Sequence, residues 1–402
     1  MTATKKTSRI PFAPIQRKIL FALASVVGLR MLGLFLVLPV FTLYGLQFTK
    51  SYFLVGVAFS SYALVMALLQ IPLGRLSDRI GRRKVLMLGM TLFSLGSFVC
   101  AVPHWFPHSM QIGALIAGRL IQGGGAIVSV AFATVADHVE EKNRSTAMAV
   151  LGIPIGVAFI VGIVAGPIIA GWFGTASLFW LTGFLGLGTD FLLYSYLPAT
   201  PPKGGEPAPI GEVIRNRRLI ALDCGGFLMN FFMTTFFYFF PLLVTVEHHV
   251  KMTRYYEILL PMIFISAVTM FAFTRGADKG WATPLAAVAF LIFVPSSLLL
   301  FGPSLVGFGT GTLTAVLVGG TLFYIGFTGL EPMLPAMVSK SGPKSAYGTS
   351  LGVYNSVQFL GSAVAGPLAG ALAARHNPML IMCILIGTSI IGSLLVFIKP
   401  QV

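Results

Sequence analysis

Long apolar runs separated by short polar segments dominate the pattern of hydrophobic and polar positions along the chain. Crossing the hydrocarbon core of a bilayer takes roughly 20 apolar residues, and backbone groups in lipid must be hydrogen-bonded within their own segment. Each run is therefore predicted to be a transmembrane helix, since the alternating polarity of a membrane β-barrel is not visible. The twelve predicted spans are 19–43, 53–74, 84–103, 109–136, 146–171, 175–197, 219–246, 255–275, 281–303, 305–335, 345–372 and 378–398.

Composition supports a membrane environment. Of the 402 residues, 56% are hydrophobic and 10% are charged, whereas soluble globular chains carry about 25% charged residues. A water-soluble fold of this length could not bury so much apolar surface, so the predicted solvent is lipid.

The net charge of +15 would suit a nucleic-acid-binding protein, but the positions of the 27 Lys and Arg residues favour another explanation. Most lie in the N-terminal tail and in every second loop, on one side of the predicted membrane. The other side has only Lys50, Lys251, Arg254 and Arg375. This asymmetry follows the positive-inside rule and predicts a multi-pass membrane protein with both termini cytoplasmic and no nucleic-acid partner.

The spans divide into two sets of six. The segment 198–218 is polar and rich in Pro and Gly, as expected for a linker. An offset of 200 residues places Gly166-Pro167 on Gly366-Pro367 and Asp78 on Asp278. The predicted fold is an all-α membrane protein with two pseudo-symmetric six-helix bundles and a site between them at mid-depth. The predicted domains are a tail 1–18, a bundle 19–197, the linker 198–218, a bundle 219–398 and a tail 399–402.

Ionisable residues inside the predicted spans are candidates for function, because a charge at a helix centre costs about 2.5–3.5 kcal/mol. Glu331, in an apolar segment before Pro332, is the preferred proton carrier. The alternative for Glu331 is a static glutamate hydrogen-bonded across the bundle. The alternative for Arg30 and Arg119 is a structural role, in which each side chain ties helices together. The five candidates for proton coupling are Glu331, Arg119, Arg30, Asp190 and Asp223.

The seventh span contains an aromatic-rich run, Phe227–Phe240, that could stack on flat apolar or cationic compounds. The aromatic residues surround the helix, so at least half should contact lipid or neighbouring helices. The residues predicted to line a substrate cavity are Asn230, Phe231 and Thr234, with Tyr354 and Gln358 of the eleventh span.

The segment GRLSDRIGRRKVL (Gly74–Leu86) resembles the signature of the major facilitator superfamily between its second and third helices. The resemblance implies a cytoplasmic latch that holds an outward-open state, with Arg82 paired to Asp137 and Asp78 at the start of the eleventh helix, near 346–349. The alternative is that the basic residues only anchor topology. The latch residues implied are Gly74, Asp78, Arg79, Gly81, Arg82 and Asp137.

Two further segments resemble motifs of the same superfamily. Gly118–Gly123 is similar to a motif in which a buried Arg takes part in proton transfer, and Gly162–Gly171 is similar to a motif typical of antiporters, with Ala170 in place of a glycine. Small residues at every fourth position allow close helix packing, and proline bends a helix. The predicted packing residues are Gly162, Gly166, Pro167, Gly171, Gly366 and Pro367.

Gly28–Leu46 and Gly329–Gly361 resemble one branch of the drug/proton antiporters. That branch carries a small soluble domain after its last helix, and we expect none after Val402. It also has a His where this chain has Asn230, which cannot titrate.

The predicted function is proton-driven export of small apolar or cationic compounds by alternating access, with substrate, protons and lipids as partners. We expect a monomer that is not an enzyme and needs no cofactor or metal. The sequence has no G-x-x-x-x-G-K-[ST] phosphate loop, which disfavours transport driven by ATP. Two alternatives stay open: a proton-coupled or facilitative importer of a small metabolite, and a membrane sensor or scaffold that does not transport.

Overall fold

A computed structural model of the chain describes residues 12–139, 141–199, 210–302, 312–342 and 347–399. Within these ranges the regular structure is helical, with no strand, and twelve long helices account for most of it. They are α1 (Pro14–Val37), α2 (Tyr52–Ile80), α3 (Arg82–Ala101), α4 (Gln111–Gly123 continued by Val128–His138), α5 (Glu141–Phe173), α6 (Thr175–Tyr196), α7 (Arg217–Pro241), α8 (Tyr255–Gly276), α9 (Ala282–Phe301), α10 (Leu313–Ser341), α11 (Tyr347–Ala374) and α12 (Pro378–Leu395).

The described residues contain eleven helical segments long and apolar enough to cross a membrane. One of them, Met252–Phe301, has 50 residues and would extend about 75 Å as a single helix, more than twice the thickness of a hydrocarbon core of about 30 Å. The chain turns inside it at Gly280, where φ is 94°, so this segment makes two crossings, α8 and α9. The prediction of twelve transmembrane helices is confirmed.

Several helix boundaries differ from those predicted. The fourth helix is interrupted after Gly123, where three consecutive glycines weaken the helix. Helix α2 continues to Ile80, through polar residues that the prediction assigned to a loop. The predicted tenth span starts at 305, outside the described residues, and its described part runs on to Ser341. In the predicted linker, 200–209 lie outside the described residues and Ile210–Arg215 form a short helix.

Hydrogen bonds between helix ends define one face of the protein. Gln16 Nε2 donates to the carbonyl of His138 at 3.0 Å, which joins the start of α1 to the end of α4. Arg218 Nη1 donates to the carbonyl of Ile398 at 2.6 Å, which joins the start of α7 to the chain just beyond α12. We call this side the basic face, because it carries the Arg- and Lys-rich turn after α2.

Helices of the first half pack mainly on one another, as do those of the second half. In the first half α1 packs on α5 and α6, and α3 packs on α6; in the second, α9 packs on α10 and α12. The contact between α2 and α11 is the most extensive between any two helices of the described chain, and it joins the two halves. A smaller contact between α5 and α8 also joins them. A site between the halves therefore lies beside α2 and α11.

Candidate functional site

A narrow cavity of about 70 Å³ lies between the two halves. Its wall is formed by α1, α2 and α4 of the first half and by α7, α10 and α11 of the second. Most lining residues are apolar, as is usual for sites of organic ligands. Ligand pockets usually measure about 300–1,000 Å³, so the cavity must widen to admit a substrate. The polar or charged residues on its wall are Ser60, Tyr62, Arg119, Asn230, Thr234, Glu331, Gln358 and Ser362.

Glu331 is the one acidic residue among those that line the cavity. Its Oε2 atom is buried and has no hydrogen-bond partner within the described part of the chain. The following residue, Pro332, lies inside α10 and removes one backbone hydrogen bond of that helix. A carboxyl group without a fixed partner, next to a cavity between two halves, is suited to binding and releasing a proton.

Arg119 supplies positive charge to the opposite wall of the cavity. Its Nη1 atom donates to Gln122 Oε1 at 2.6 Å, and Gln122 Nε2 donates to Ser97 Oγ at 2.8 Å. The guanidinium carbon lies 5.0 Å from the ring centroid of Phe41 and 4.7 Å from that of Tyr62. These contacts fix the cation in place. Gln122 lies within the motif Gly118–Gly123, whereas Ser97 and Tyr62 were not among the predicted site residues.

Arg30, predicted as a candidate for proton coupling, is not among the residues that line the cavity. It is 1% exposed, and its Nη2 atom donates to the Tyr62 hydroxyl at 2.5 Å and contacts Met66 Sδ at 3.0 Å. The side chain therefore ties α1 to α2 within the first half, which was the structural alternative. It supports Arg119 indirectly, because both arginines contact Tyr62.

The two predicted aspartates lie away from the cavity wall. Asp190 Oδ2 accepts a hydrogen bond of 2.9 Å from Thr91, at a partly exposed contact between α6 and α3. Asp223, in the second turn of α7, is 5% exposed rather than solvated. Its Oδ1 atom has no hydrogen-bond partner among the described residues.

The residues predicted for the cavity on α7 and α11 divide into two groups. Asn230, Thr234 and Gln358 line it, whereas Phe231 and Tyr354 do not. Phe231 lies one position beyond Asn230, rotated about 100° around the helix, and its ring stacks on that of Phe227 with centroids 6.5 Å apart.

Much of the aromatic run in α7 builds the core of the second half instead of a wall for substrate. The ring centroid of Phe236 lies 3.7 Å from that of Phe323, and the centroid of Phe232 lies 4.3 Å from that of Phe293. Helix α7 is apolar on all sides, so the sequence could not show which aromatic residues point inward.

Arg82 is the centre of a charged cluster at the basic face. Its Nη2 atom lies 2.6 Å from Asp78 Oδ1, and its Nε atom donates to Asp137 Oδ2 at 3.0 Å. Nη1 donates to Ser77 Oγ at 2.5 Å. The pairing of Arg82 with Asp137 is the one that the motif implied, while the additional contacts to Asp78 and Ser77 were not foreseen.

The other predicted latch residues differ in their surroundings. The Asp78 side chain is 41% exposed. It was expected to meet the start of α11 near 346–349, of which residue 346 lies outside the described residues. Arg79 is exposed. A methyl group at Gly74 would lie 3.7 Å from Ser129 Oγ, an ordinary contact, so no close helix approach requires glycine there. Gly81 has φ 100° and separates α2 from α3.

The two halves touch directly on the face opposite the basic face. A methyl group at Gly56 would overlap the carbonyl of Gly366. Ser60 Oγ donates to the carbonyl of Ser362 at 2.5 Å and accepts from the amide of Gly366 at 3.0 Å. We call this contact between α2 and α11 the interhalf seal, and it closes the cavity toward the opposite face. The Tyr238 hydroxyl, which donates to the carbonyl of Tyr52 at 2.7 Å, extends it to α7.

The predicted packing glycines allow close contacts, but not all between the same helices. Gly162 and Gly166 pack α5 against Phe35 and Leu36 of α1, inside the first half. Gly171 reaches across to the second half, where a methyl group would lie 3.0 Å from Thr253. Gly366 belongs to the interhalf seal, and Pro167 and Pro367 lie inside α5 and α11.

The partners of Gly366, namely Gly56 and Ser60, were missed by the sequence analysis. The available signal was the spacing of small residues four apart in both helices: Gly56 and Ser60 in α2, and Ser362 and Gly366 in α11. Such spacing allows two helices to approach closely. It does not reveal which helix is the partner.

Twelve membrane-crossing helices in two halves, with a cavity between them and a direct contact closing one side, define a multi-pass membrane transporter. The model of the Major Facilitator Superfamily matches residues 23–366, and the chain belongs to that family. It is therefore a transporter and not an enzyme.

The relatives agree with this assignment. The inner membrane transport protein YajR of Escherichia coli (strain K12) is 31% identical over 365 residues, which cover 89% of this chain and 78% of that protein. The multidrug resistance protein MdtL of Klebsiella pneumoniae is 31% identical over 171 residues, 40% of this chain and 41% of that protein. The crystal structure of a D-xylose-proton symporter has the same fold, with a TM-score of 0.74 at 16% identity, covering 94% of this chain and 97% of that one.

Proposed function

We propose that the chain is a proton-driven exporter of small, largely apolar or cationic compounds in a bacterial inner membrane. One observation carries the proposal: Glu331, whose buried Oε2 has no hydrogen-bond partner among the described residues, is the acidic residue on the wall of an otherwise mainly apolar cavity. The names of two relatives support it, one an inner membrane transport protein and the other a multidrug resistance protein.

In the proposed cycle the basic face is cytoplasmic, as the distribution of Lys and Arg favours, and both termini lie in the cytoplasm. When the interhalf seal opens, Glu331 binds a proton from outside and substrate leaves. When the seal closes, the proton is released inside and a new substrate enters. The charged cluster around Arg82, whose contacts lie within the first half, holds Asp78 in place so that Asp78 can meet the start of α11 as the latch of the outward-open state. All the cavity walls come from one chain, so a monomer suffices for this cycle.

The charges at the cavity support exchange of substrate for protons. Arg119 and an ionised Glu331 cancel one another, which leaves room for one added positive charge. Either a proton or a cationic substrate can supply that charge, but the two together would leave the cavity with excess positive charge in a low-dielectric site. A neutral apolar compound would compete less directly, by displacing the water that solvates the ionised carboxylate.

Everted membrane vesicles test the proposal. A proton gradient is established across them by respiration, and neutral, cationic and anionic aromatic compounds are added in turn while a pH-sensitive dye reports the gradient. Export in exchange for protons predicts that transported compounds dissipate the gradient and accumulate in the vesicles. Release of a preloaded compound from the vesicle lumen together with protons would instead support an importer, and no response to any compound would favour a scaffold without transport.

A further inference from the structure

Three polar side chains of the second half each have a buried oxygen atom that lacks a hydrogen-bond partner in the described part of the chain. They are Glu331 of α10, Tyr354 of α11 and Asp223 of α7. Glu331 Oε2, the Tyr354 hydroxyl and Asp223 Oδ1 are all buried, and none has a hydrogen-bond partner within the described residues. Unpartnered buried polar atoms are costly, typically about 1–3 kcal/mol each. Three of them in one region need a reason other than packing.

Tyr354 is an electrostatic neighbour that the two carboxyl groups share. Its phenol oxygen is close enough to interact electrostatically with both Glu331 and Asp223. Its ring rests on the backbone of α7, where a methyl group at Gly226 would lie 2.6 Å from the ring and 3.2 Å from the hydroxyl oxygen. Gly226 follows Asp223 by three residues and therefore lies on nearly the same side of α7. The hydroxyl therefore lies against α7 about one helical turn from Asp223.

The two carboxyl groups lie at different depths. Glu331 lines the cavity, but Tyr354 and Asp223 do not. Asp223 is six residues beyond Arg217, the first residue of α7, which corresponds to about 9 Å along the helix axis. The start of α7 belongs to the basic face, where Arg218 bonds to the chain beyond α12. The three side chains therefore lead from the cavity toward that face through the interior of the second half.

We propose that Glu331, Tyr354 and Asp223 form a proton relay that connects the cavity carboxyl group to the cytoplasmic face by a route separate from the substrate cavity. The relay rests on the proposed function, because it needs Glu331 to carry the transported proton. It explains how Glu331 can release its proton inward while an apolar substrate enters the same cavity from the same side.

The transfer conserves protons and charge. Protonated Glu331 donates its proton to a lone pair of the Tyr354 oxygen, while the original phenol proton moves to the Asp223 carboxylate. Tyr354 ends neutral, Glu331 ends ionised and Asp223 carries the proton, which it then gives to water at the cytoplasmic face. The transfer requires that side-chain rotation or bridging water brings the oxygen atoms within hydrogen-bond distance. The phenol resets by rotating its hydroxyl group.

Another buried tyrosine provides a matched control. The Tyr324 hydroxyl, on α10, is also buried without a hydrogen-bond partner among the described residues. Its electrostatic neighbour is Tyr255, which is not part of the relay. Tyr324→Phe removes a buried phenol of the same kind without touching the relay, so it reports the effect of losing a hydroxyl group alone.

Time-resolved infrared spectroscopy after a pH jump tests the relay without a known substrate. The full-length protein is reconstituted in lipid nanodiscs, and the carboxyl C=O band that disappears in Glu331→Gln identifies Glu331. We expect Tyr354→Phe and Asp223→Asn to slow the change of this band by at least about tenfold, and Tyr324→Phe to leave its rate as in wild type. Thermal unfolding of each variant identifies those that are misfolded.

The outcomes separate the relay from the proposed function. A wild-type rate in folded Tyr354→Phe or folded Asp223→Asn would overturn the relay and leave Glu331 as the proton carrier. The same slowing in Tyr324→Phe would assign the effect to packing and would also overturn it. If no titrating band is lost in Glu331→Gln, then Glu331 is not the carrier, and both the proposed mechanism and the relay fail.

Discussion

Replacing Gly56 with alanine should weaken the interhalf seal and shift the transporter toward its outward-open state. The added methyl group would overlap the carbonyl oxygen and carbon of Gly366, and it would lie 3.3 Å from the amide nitrogen of Gly370. These atoms belong to the backbone of α11, so no side-chain rotation relieves the overlap. Helices α2 and α11 must separate by roughly 1 Å or more to restore ordinary contact.

The size of the effect follows from the cost of overpacking. Inserting a methyl group into a tightly packed contact costs about 1–3 kcal/mol. This cost applies only while the seal is closed, so it changes the ratio of the two states by roughly 5- to 150-fold. The fold itself should persist, because the atoms that the added methyl group would meet most closely belong to the other half.

Chemical labelling from outside the cell measures this shift. Thr234, a cavity residue that is 1% exposed, is replaced with cysteine in a background without Cys100, Cys224 and Cys383. A membrane-impermeant thiol reagent then reaches position 234 only when the seal opens. We expect Gly56→Ala to raise the labelling rate by roughly 5- to 150-fold.

Gly387→Ala in α12 is the control, because a methyl group there meets nothing within 4 Å. This variant should label at the parental rate. An unchanged rate in Gly56→Ala would refute the inference that this contact closes the cavity. An equal increase in Gly387→Ala would show that loss of a helix glycine, and not the seal, governs access.

Three further predictions concern the seal and the basic face. Ser60→Ala removes two hydrogen bonds of the seal, worth about 1 kcal/mol each, so it should raise the same labelling rate roughly 30-fold. Gly81→Ala places a side chain at φ 100° at a cost of about 1–3 kcal/mol, so the Tm of this variant should fall by a few degrees. Gly188→Ala, where the added methyl group meets open space, should not lower Tm. Arg82→Gln breaks the contacts to both aspartates and should slow transport about tenfold. Arg79 is exposed, so Arg79→Gln should change the transport rate less than about twofold. Equal effects of the two substitutions would contradict the latch.

The fold was predictable because lipid imposes a simple rule on the sequence. Every run of apolar residues long enough to span a bilayer must form a helix, so the number of crossings could be counted directly. The interruption of α4 after Gly123 and the extension of α2 to Ile80 were less accessible. Both depend on local backbone preferences and on polar contacts at the helix ends, which hydropathy does not describe.

Parts of the candidate site were also predictable, since an ionisable residue within an apolar span is conspicuous. Glu331 and Arg119 were selected for that reason, and both line the cavity. Arg30 was selected by the same reasoning but ties α1 to α2. The rotation of each helix about its axis separates these cases, and tertiary packing sets that rotation when a helix is apolar on all sides.

Partners across the two halves could not be read from the sequence. Gly56 and Gly366 are separated by more than 300 positions, and each alone resembles many other glycines in the chain. Tyr354 was predicted to line the cavity, but its ring packs against Gly226 of α7. Such neighbours follow from how α7, α10 and α11 pack together.

The most direct test of the proposed mechanism is substrate-triggered proton flux in proteoliposomes that contain the purified protein and a pH-sensitive dye. With a compound that the vesicle assay identifies as transported, wild type and Glu257→Gln, which alters an exposed glutamate at the start of α8, should give equal proton flux. Glu331→Gln should give none, although it still binds the compound. Proton flux at the wild-type rate in Glu331→Gln would contradict the assignment of Glu331 as the proton carrier.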